Sequence, residues 1–185
     1  HAPGTIQDVT AELSAMRLIK DDVEIATMRQ AARISAAAHA RAMRVCRPGL
    51  NECEVEAELL HEFRRMGCDA PAYPSIVAGG ENTCVLHYAA NDKTLRDGDL
   101  LLIDAGGEFQ GYASDITRTF PVNGKFSGPQ AEVYTIVLEA QHAAIASIEP
   151  GADFMTPHLA ATRVLAQGML DLGLLNGSLD GVLES

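Results

Sequence analysis

Residues 100–122, LLLIDAGGEFQGYASDITRTFPV, carry the clearest structural pattern in the chain. The segment opens on Leu100-Leu101-Leu102-Ile103, a continuous apolar run of the kind that forms a strand buried on both faces. Arg96-Asp97-Gly98-Asp99 is the turn that feeds it, and Gly106, Gly107 and Gly111 surround a reversal. Tyr112 to Val122 then supplies a returning strand rich in β-branched and aromatic residues. One aspartate sits inside each segment, Asp104 in the first and Asp115 in the second. Strands disfavour aspartate, and burying its charge is costly, so both positions call for a reason.

Outward from this hairpin the texture changes on both sides. Upstream, Ser75-Ile76-Val77 and Cys84-Val85-Leu86-His87-Tyr88 read as short strands divided by the turn-rich Gly79-Gly80-Glu81-Asn82. Further upstream, Asp21 with Glu24 three residues on has the form of a capping box. The helix it opens carries Ile25, Met28 and Ala32 at helical spacing and runs to about Cys46, where Arg47-Pro48-Gly49 stops it. Asn51 with Glu54 opens a second helix, with Val55, Leu59, Phe63 and Met66 as its apolar stripe and Gly67 as its C-terminal cap. Downstream, helices are expected from about Pro129 to Ile148 and from about Thr156 to Leu172. Strands grouped between helical pairs predict an α+β fold, a mostly antiparallel sheet flanked by helices, with residues 1–185 as one domain.

Composition narrows the function. The 25 acidic residues outnumber the 14 basic ones and give a net charge of −11, a field that repels phosphate backbones and anionic lipid and favours cations. Neither nucleic acid nor membrane is therefore an expected partner. The Ala-rich stretch between Arg33 and Arg41 is far shorter than a membrane span. His1-Ala2-Pro3-Gly4 lacks the basic and apolar regions of a secretory signal. Cys46, Cys53, Cys68 and Cys84 form no C-x-x-C pair and read as free thiols packed in the core of a cytoplasmic protein.

The chemistry turns on Asp104, Asp115 and His87. If the two strand segments join through a two-residue turn, the aspartates project from one face, opposite or diagonal to each other. Two close carboxylates repel unless one is protonated or a cation lies between them, and hard oxygen ligands suit Mn²⁺, Mg²⁺ or Ca²⁺. A loop of odd length would reverse the facing, leaving one aspartate near the turn in solvent and the other capping a loop. His87, after Val85 and Leu86, reads equally as a packed or surface histidine and as a catalytic one. His39, His61 and His142 fall on helical polar faces, and His158 lies beside a helix start. No H-E-x-x-H, G-x-S-x-G or P-loop pattern is present.

Val85-Leu86-His87-Tyr88, Arg96-Asp97-Gly98-Asp99, Ile103-Asp104-Ala105-Gly106-Gly107-Glu108 and the run from Tyr112 to Phe126 together closely resemble the Xaa-Pro aminopeptidase (aminopeptidase P) family. The resemblance reaches back through Arg47-Pro48-Gly49 and forward through Pro150-Gly151. It implies the N-terminal half of a pita-bread fold, in which two α+β halves enclose a dinuclear site, usually Mn²⁺. It also implies an exopeptidase that releases the first residue of peptides with proline second, Xaa-Pro peptides being the partner. By motif match, Asp104 chelates one metal, Asp115 bridges both, and His87 lies over the site and assists proton movement. Tyr73 lines the pocket for the first substrate residue. A histidine and two glutamates that complete the family's ligand set are expected beyond Ser185, so weak metal binding and no activity are expected of these 185 residues alone. A homo-oligomer is expected from the apolar surface such a half leaves uncovered. The alternatives are a prolidase, cutting Xaa-Pro dipeptides, and a pita-bread binding module without catalysis. The wording around Asp115 favours the aminopeptidase, and the intact Asp104, Asp115 and His87 argue against the binding module.

Overall fold

The computed structural model describes residue 4 and residues 7–184. Of the four N-terminal residues His1-Ala2-Pro3-Gly4, from which the lack of a secretory signal is expected, only Gly4 lies among the described residues. The chain forms two compact units, His1–Lys125 and Phe126–Ser185.

Among the described residues the first unit has three α-helices, α1 (Thr10–Leu18), α2 (Asp22–Val45) and α3 (Glu52–Arg65), and two three-stranded sheets. Both expected capping boxes are formed. The Asp21 carboxylate accepts from the Glu24 amide while the Glu24 side chain accepts from the Asp21 amide, and Asn51 and Glu54 do the same for α3. These bonds satisfy orphan amides of the first turn, which is why the helices begin where the local chemistry says they should. Gly67 ends α3 with φ +98°, a conformation that disfavours any side chain. Helix α1 was not anticipated, and it buries none of its residues.

Strands β2 (Ile76–Gly79), β3 (Leu100–Ala105) and β6 (Ile116–Pro121) form one antiparallel sheet in the order β2-β3-β6. Strands β1 (Ala70–Pro71), β4 (Gly107–Phe109) and β5 (Tyr112–Ala113) form the other, in the order β1-β4-β5. The reversal is a two-residue turn, Gln110-Gly111, with φ of 51° and 81°, as a type I′ hairpin requires. The return is not one strand, because pairing lapses at Ser114 and Asp115 between β5 and β6. Glycine at 106 permits this, since a Cβ there would lie 1.7 Å from the Ser114 carbonyl oxygen.

Strand β3 is not buried on both faces. Leu101, Ile103 and Ala105 are fully buried against Ile34 and Ala38 of α2 and Val55, Leu59 and Phe63 of α3, whereas Leu100, Leu102 and Asp104 alternate with them half-buried. Burial of each large apolar side chain contributes about 1.5–3 kcal/mol, so the inner face fixes the strand and leaves the other face for Asp104. Cys84–Tyr88 is not a strand either. Residues 80–84 form a 3-10 turn, and Val85 and Leu86 are 53% and 85% exposed. With their side chains exposed to this degree, their β propensity is not used. His39 is buried, with Nδ1 2.9 Å from the Ser35 carbonyl. Of the four free thiols only Cys68 is fully buried, and Cys53 and Cys84 are exposed.

In the second unit, Ser127 and Gln130 form a capping box for α4 (Gly128–Ala146). Helix α5 (Thr156–Asp171) packs on it where Gly168 meets Ile136, a contact that a Cβ would close to 2.5 Å. A short α6 (Leu179–Leu183) follows. Among the described residues no helix is long and apolar enough to cross a membrane.

Candidate functional site

Strand β3 pairs Asp104 with Thr117 of β6. Asp115 stands two positions before Thr117, diagonal to Asp104 on the same face, which is the arrangement expected for a two-residue turn. Their carboxylates converge on one atom. The Tyr73 hydroxyl lies 2.6 Å from Asp104 Oδ1 and 2.8 Å from Asp115 Oδ1, placed to donate to either. Burial first, and then these two bonds, push the Tyr73 phenol well above its ordinary range, so it remains a donor at neutral pH.

The break in the returning strand is pinned from behind. Ser35 Oγ of α2 lies 2.6 Å from Ser114 Oγ and accepts from the Gly107 amide at 2.9 Å, while the Ser114 hydroxyl donates to the Gly107 carbonyl at 3.0 Å. All three residues are buried. The exposed Asp115 thus rests on an interior hydrogen-bond cluster that fixes where its backbone leaves the sheet.

A cavity of about 430 Å³ is lined by Tyr73, Pro74, Ile76, His87, Ala89, Asp104 and Asp115. It brings together Asp104, Asp115 and His87 with Tyr73, which the family resemblance placed at a pocket but whose contact with both aspartates the sequence does not reveal. His87 is exposed and has φ +54°, an uncommon conformation for a residue other than glycine and one enriched at functional positions. A tyrosine 31 residues before one aspartate and 42 before the other leaves no local pattern to read. Glu52, which accepts from the Tyr88 hydroxyl and the Lys93 amide, and Asn91, which donates to Glu56, left no such pattern either.

Two convergent carboxylates with a half-buried phenol are a fit for part of a hard-cation site. Among the described residues no group of three or more His, Cys, Asp or Glu side chains is placed to hold a metal ion, so the pair supplies part of a donor set.

The chain matches the model of metallopeptidase family M24 over residues 26–180. It is 52% identical to the Xaa-Pro aminopeptidase of Haemophilus influenzae over 97% of its own length and 42% of the relative's. With the Xaa-Pro aminopeptidase of Escherichia coli it shares 47% identity over 98% of its length and 41% of the relative's. The chain therefore spans about two fifths of the curated relatives it matches. Among solved structures, it resembles Escherichia coli aminopeptidase P in complex with substrate, with a TM-score of 0.95 at 47% identity over 99% of this chain and 42% of that one. Pseudomonas aeruginosa aminopeptidase PepP gives a TM-score of 0.90 at 54% identity, over 91% of this chain and 38% of that one. The architecture expected from the sequence, helices on antiparallel sheet in the N-terminal half of a pita-bread fold, is the one these likenesses bear out. With the family's pattern running from the first turns of α2 into α6, the chain belongs to metallopeptidase family M24.

Proposed function

We propose that this sequence supplies part of the active site of a metal-dependent exopeptidase that removes the first residue from peptides with proline in second position. The observation that carries the reading is the convergence of Asp104 and Asp115 on the Tyr73 hydroxyl in the cavity that His87 also lines. In this reading Asp104 and Asp115 hold divalent cations, Mn²⁺ in a dinuclear arrangement. Such ions, when bound, polarise a scissile carbonyl and make water a better nucleophile. Tyr73 holds the carboxylates in register by sharing its proton between them. His87, at the rim, contacts the peptide and moves a proton. Pro74, Ile76 and Ala89 give the cavity an apolar wall beside the carboxylates, which suits an imino-acid ring next to the bond that is cut. Proline specificity rests on the relatives, which are named Xaa-Pro aminopeptidases.

Further parts of the reading are that both compact units belong to one catalytic domain, that the protein forms homo-oligomers, and that it works in the cytoplasm. The 185 residues by themselves are inactive, because two carboxylates make a poor cage for a cation that needs more ligands in fixed geometry. The test is Mn²⁺-dependent release of arginine from an Arg-Pro-Pro peptide, run on this chain and on a longer protein containing it. Release by the longer protein only, lost with a chelator and with His87→Ala, supports the reading. Silence from both with Mn²⁺ present would sink it, and appreciable hydrolysis by the short chain would sink its claim of inactivity.

A further inference from the structure

Glu52 is a fully buried carboxylate on the first turn of α3. Among the described residues it has no ion-pair partner. Its two oxygens instead receive four donors. The Gly79 amide and the Asn82 side-chain amide reach Oε1 at 2.7 and 3.0 Å. The Tyr88 hydroxyl and the Lys93 amide reach Oε2 at 2.7 and 3.0 Å. All four donors lie at or within the ends of the segment 79–93, which carries His87. A second anchor stands one helical turn along. Glu56 Oε2 accepts from Asn91 Nδ2 at 3.0 Å, and Asn91, itself buried, also binds the Val77 amide and the Ser75 carbonyl. Within the segment two residues other than glycine are held in left-handed positions, His87 at φ +54° and Asn91 at φ +46°. Such conformations persist only where surrounding contacts over-determine them.

A buried charge without a counter-ion is an expensive way to fill a core position, and an apolar residue of similar volume is often more stable there. The arrangement makes sense if what it secures is the segment rather than the core. We propose that Glu52 is a positioning residue that, with the Glu56–Asn91 bond as second anchor, holds residues 79–93 so that His87 stays at the cavity beside Asp104 and Asp115. The importance of His87 rests on the functional reading above; the ordering of its segment does not.

Glutamine at 52 is a poor substitute. Its carbonyl oxygen can still accept, but its NH₂ group would face the Lys93 amide, a donor that cannot reverse its role as the Tyr88 hydroxyl can. The experiment compares the full chain with Glu52→Gln, Tyr88→Phe and the core control Ile34→Val. Amide hydrogen exchange is followed together with the His87 ring ¹H–¹³C signal, assigned by His87→Ala. In Glu52→Gln and Tyr88→Phe, amides of residues 79–93 are expected to exchange roughly tenfold faster or more, with the His87 signal shifted or broadened. The signals of His39 and His61 stay in place, and Ile34→Val moves none of the three. Should Glu52→Gln fail to fold, Tyr88→Phe, which removes one hydroxyl, carries the test alone. A folded variant with unchanged exchange over 79–93 and an unmoved His87 signal overturns the proposal. Because neither readout passes through peptide hydrolysis, the proposal can fail while His87→Ala still abolishes activity in the longer protein. It can also hold while that variant stays fully active, in which case only the functional reading falls.

Discussion

A phenol has one proton to give, and at Tyr73 two carboxylates share it. Removing the hydroxyl leaves Asp104 and Asp115 facing each other across a gap with no donor between them, and hydrogen bonds to charged groups are among the stronger ones. Tyr73→Phe is expected to cost the metal-free chain about 1–2 kcal/mol, read as a lower urea midpoint at unchanged slope. An unchanged midpoint would mean that the hydroxyl does not bridge the pair in solution. Gly106 shapes the same pair by what it lacks. Gly106→Ala would place a methyl group 1.7 Å from the Ser114 carbonyl oxygen, where only backbone movement could relieve the clash. A loss of roughly 3–5 kcal/mol or failure to fold is expected, checked by circular dichroism and the same urea titration. The aspartates themselves were legible because a charged residue in a strand stands out against its neighbours, and the two-residue turn then fixes their shared face. Tyr73 was legible only through the family resemblance, as a pocket residue, and its bond to both carboxylates was not, because a tyrosine before a proline looks the same whether its hydroxyl meets solvent or two carboxylates.

Helices α2 and α3 are held together on their polar side as well as through the core. Glu62, almost fully buried, accepts from Arg65 Nε at 3.0 Å and lies 3.6 Å from Arg41 Nη1, while Arg41 also pairs with Glu58. The Arg65 hydrogen bond, more than the opposing effect of burial, lowers the Glu62 carboxyl below its ordinary range, helped by the charges of Arg65 and Arg41. A carboxyl depressed on folding stabilises the protein above its unfolded pKa, and that contribution is lost as pH falls through the folded value. The stability gap between the native chain and Glu62→Gln is thus expected to be full at pH 7. It should narrow below about pH 4.5 and close near the acid limit, as urea midpoints across that range would show. A gap that stays constant with pH would mean that the carboxylate charge is not what Glu62 contributes. At this scale the sequence was read well where the signal is local. Asp21 with Glu24 and Asn51 with Glu54 announce their helices because both partners of each capping box lie within one turn. Val85 and Leu86 misled because apolar β-formers signal a strand only if something packs on them, and that depends on residues far away in the chain.

For the chain as a whole, the hard-cation site is limited by ligand count. Strand register and the Ser35–Ser114 cluster bring two carboxylates together with little freedom, yet no third His, Cys, Asp or Glu joins them among the described residues. Divalent-ion affinity is set by the charge and number of oxygen donors and by how rigidly they are held. Here rigidity is supplied and number is not. Water would have to fill most of the coordination sphere, so Mn²⁺ should bind this chain with a Kd of roughly 10⁻⁴–10⁻³ M. Titration followed by electron paramagnetic resonance of free Mn²⁺ measures this directly. Asp104→Asn and Asp115→Asn should each weaken the binding further, and the double substitution should remove it. Tight, micromolar binding that survives dilution would show that donors outside the pair join it within one chain. Tight binding that falls away on dilution would show a second copy supplying them. Weak binding lost with the two aspartates would locate the cation between β3 and the start of β6, and would make the missing donors, rather than the geometry of these two, the reason the site is incomplete.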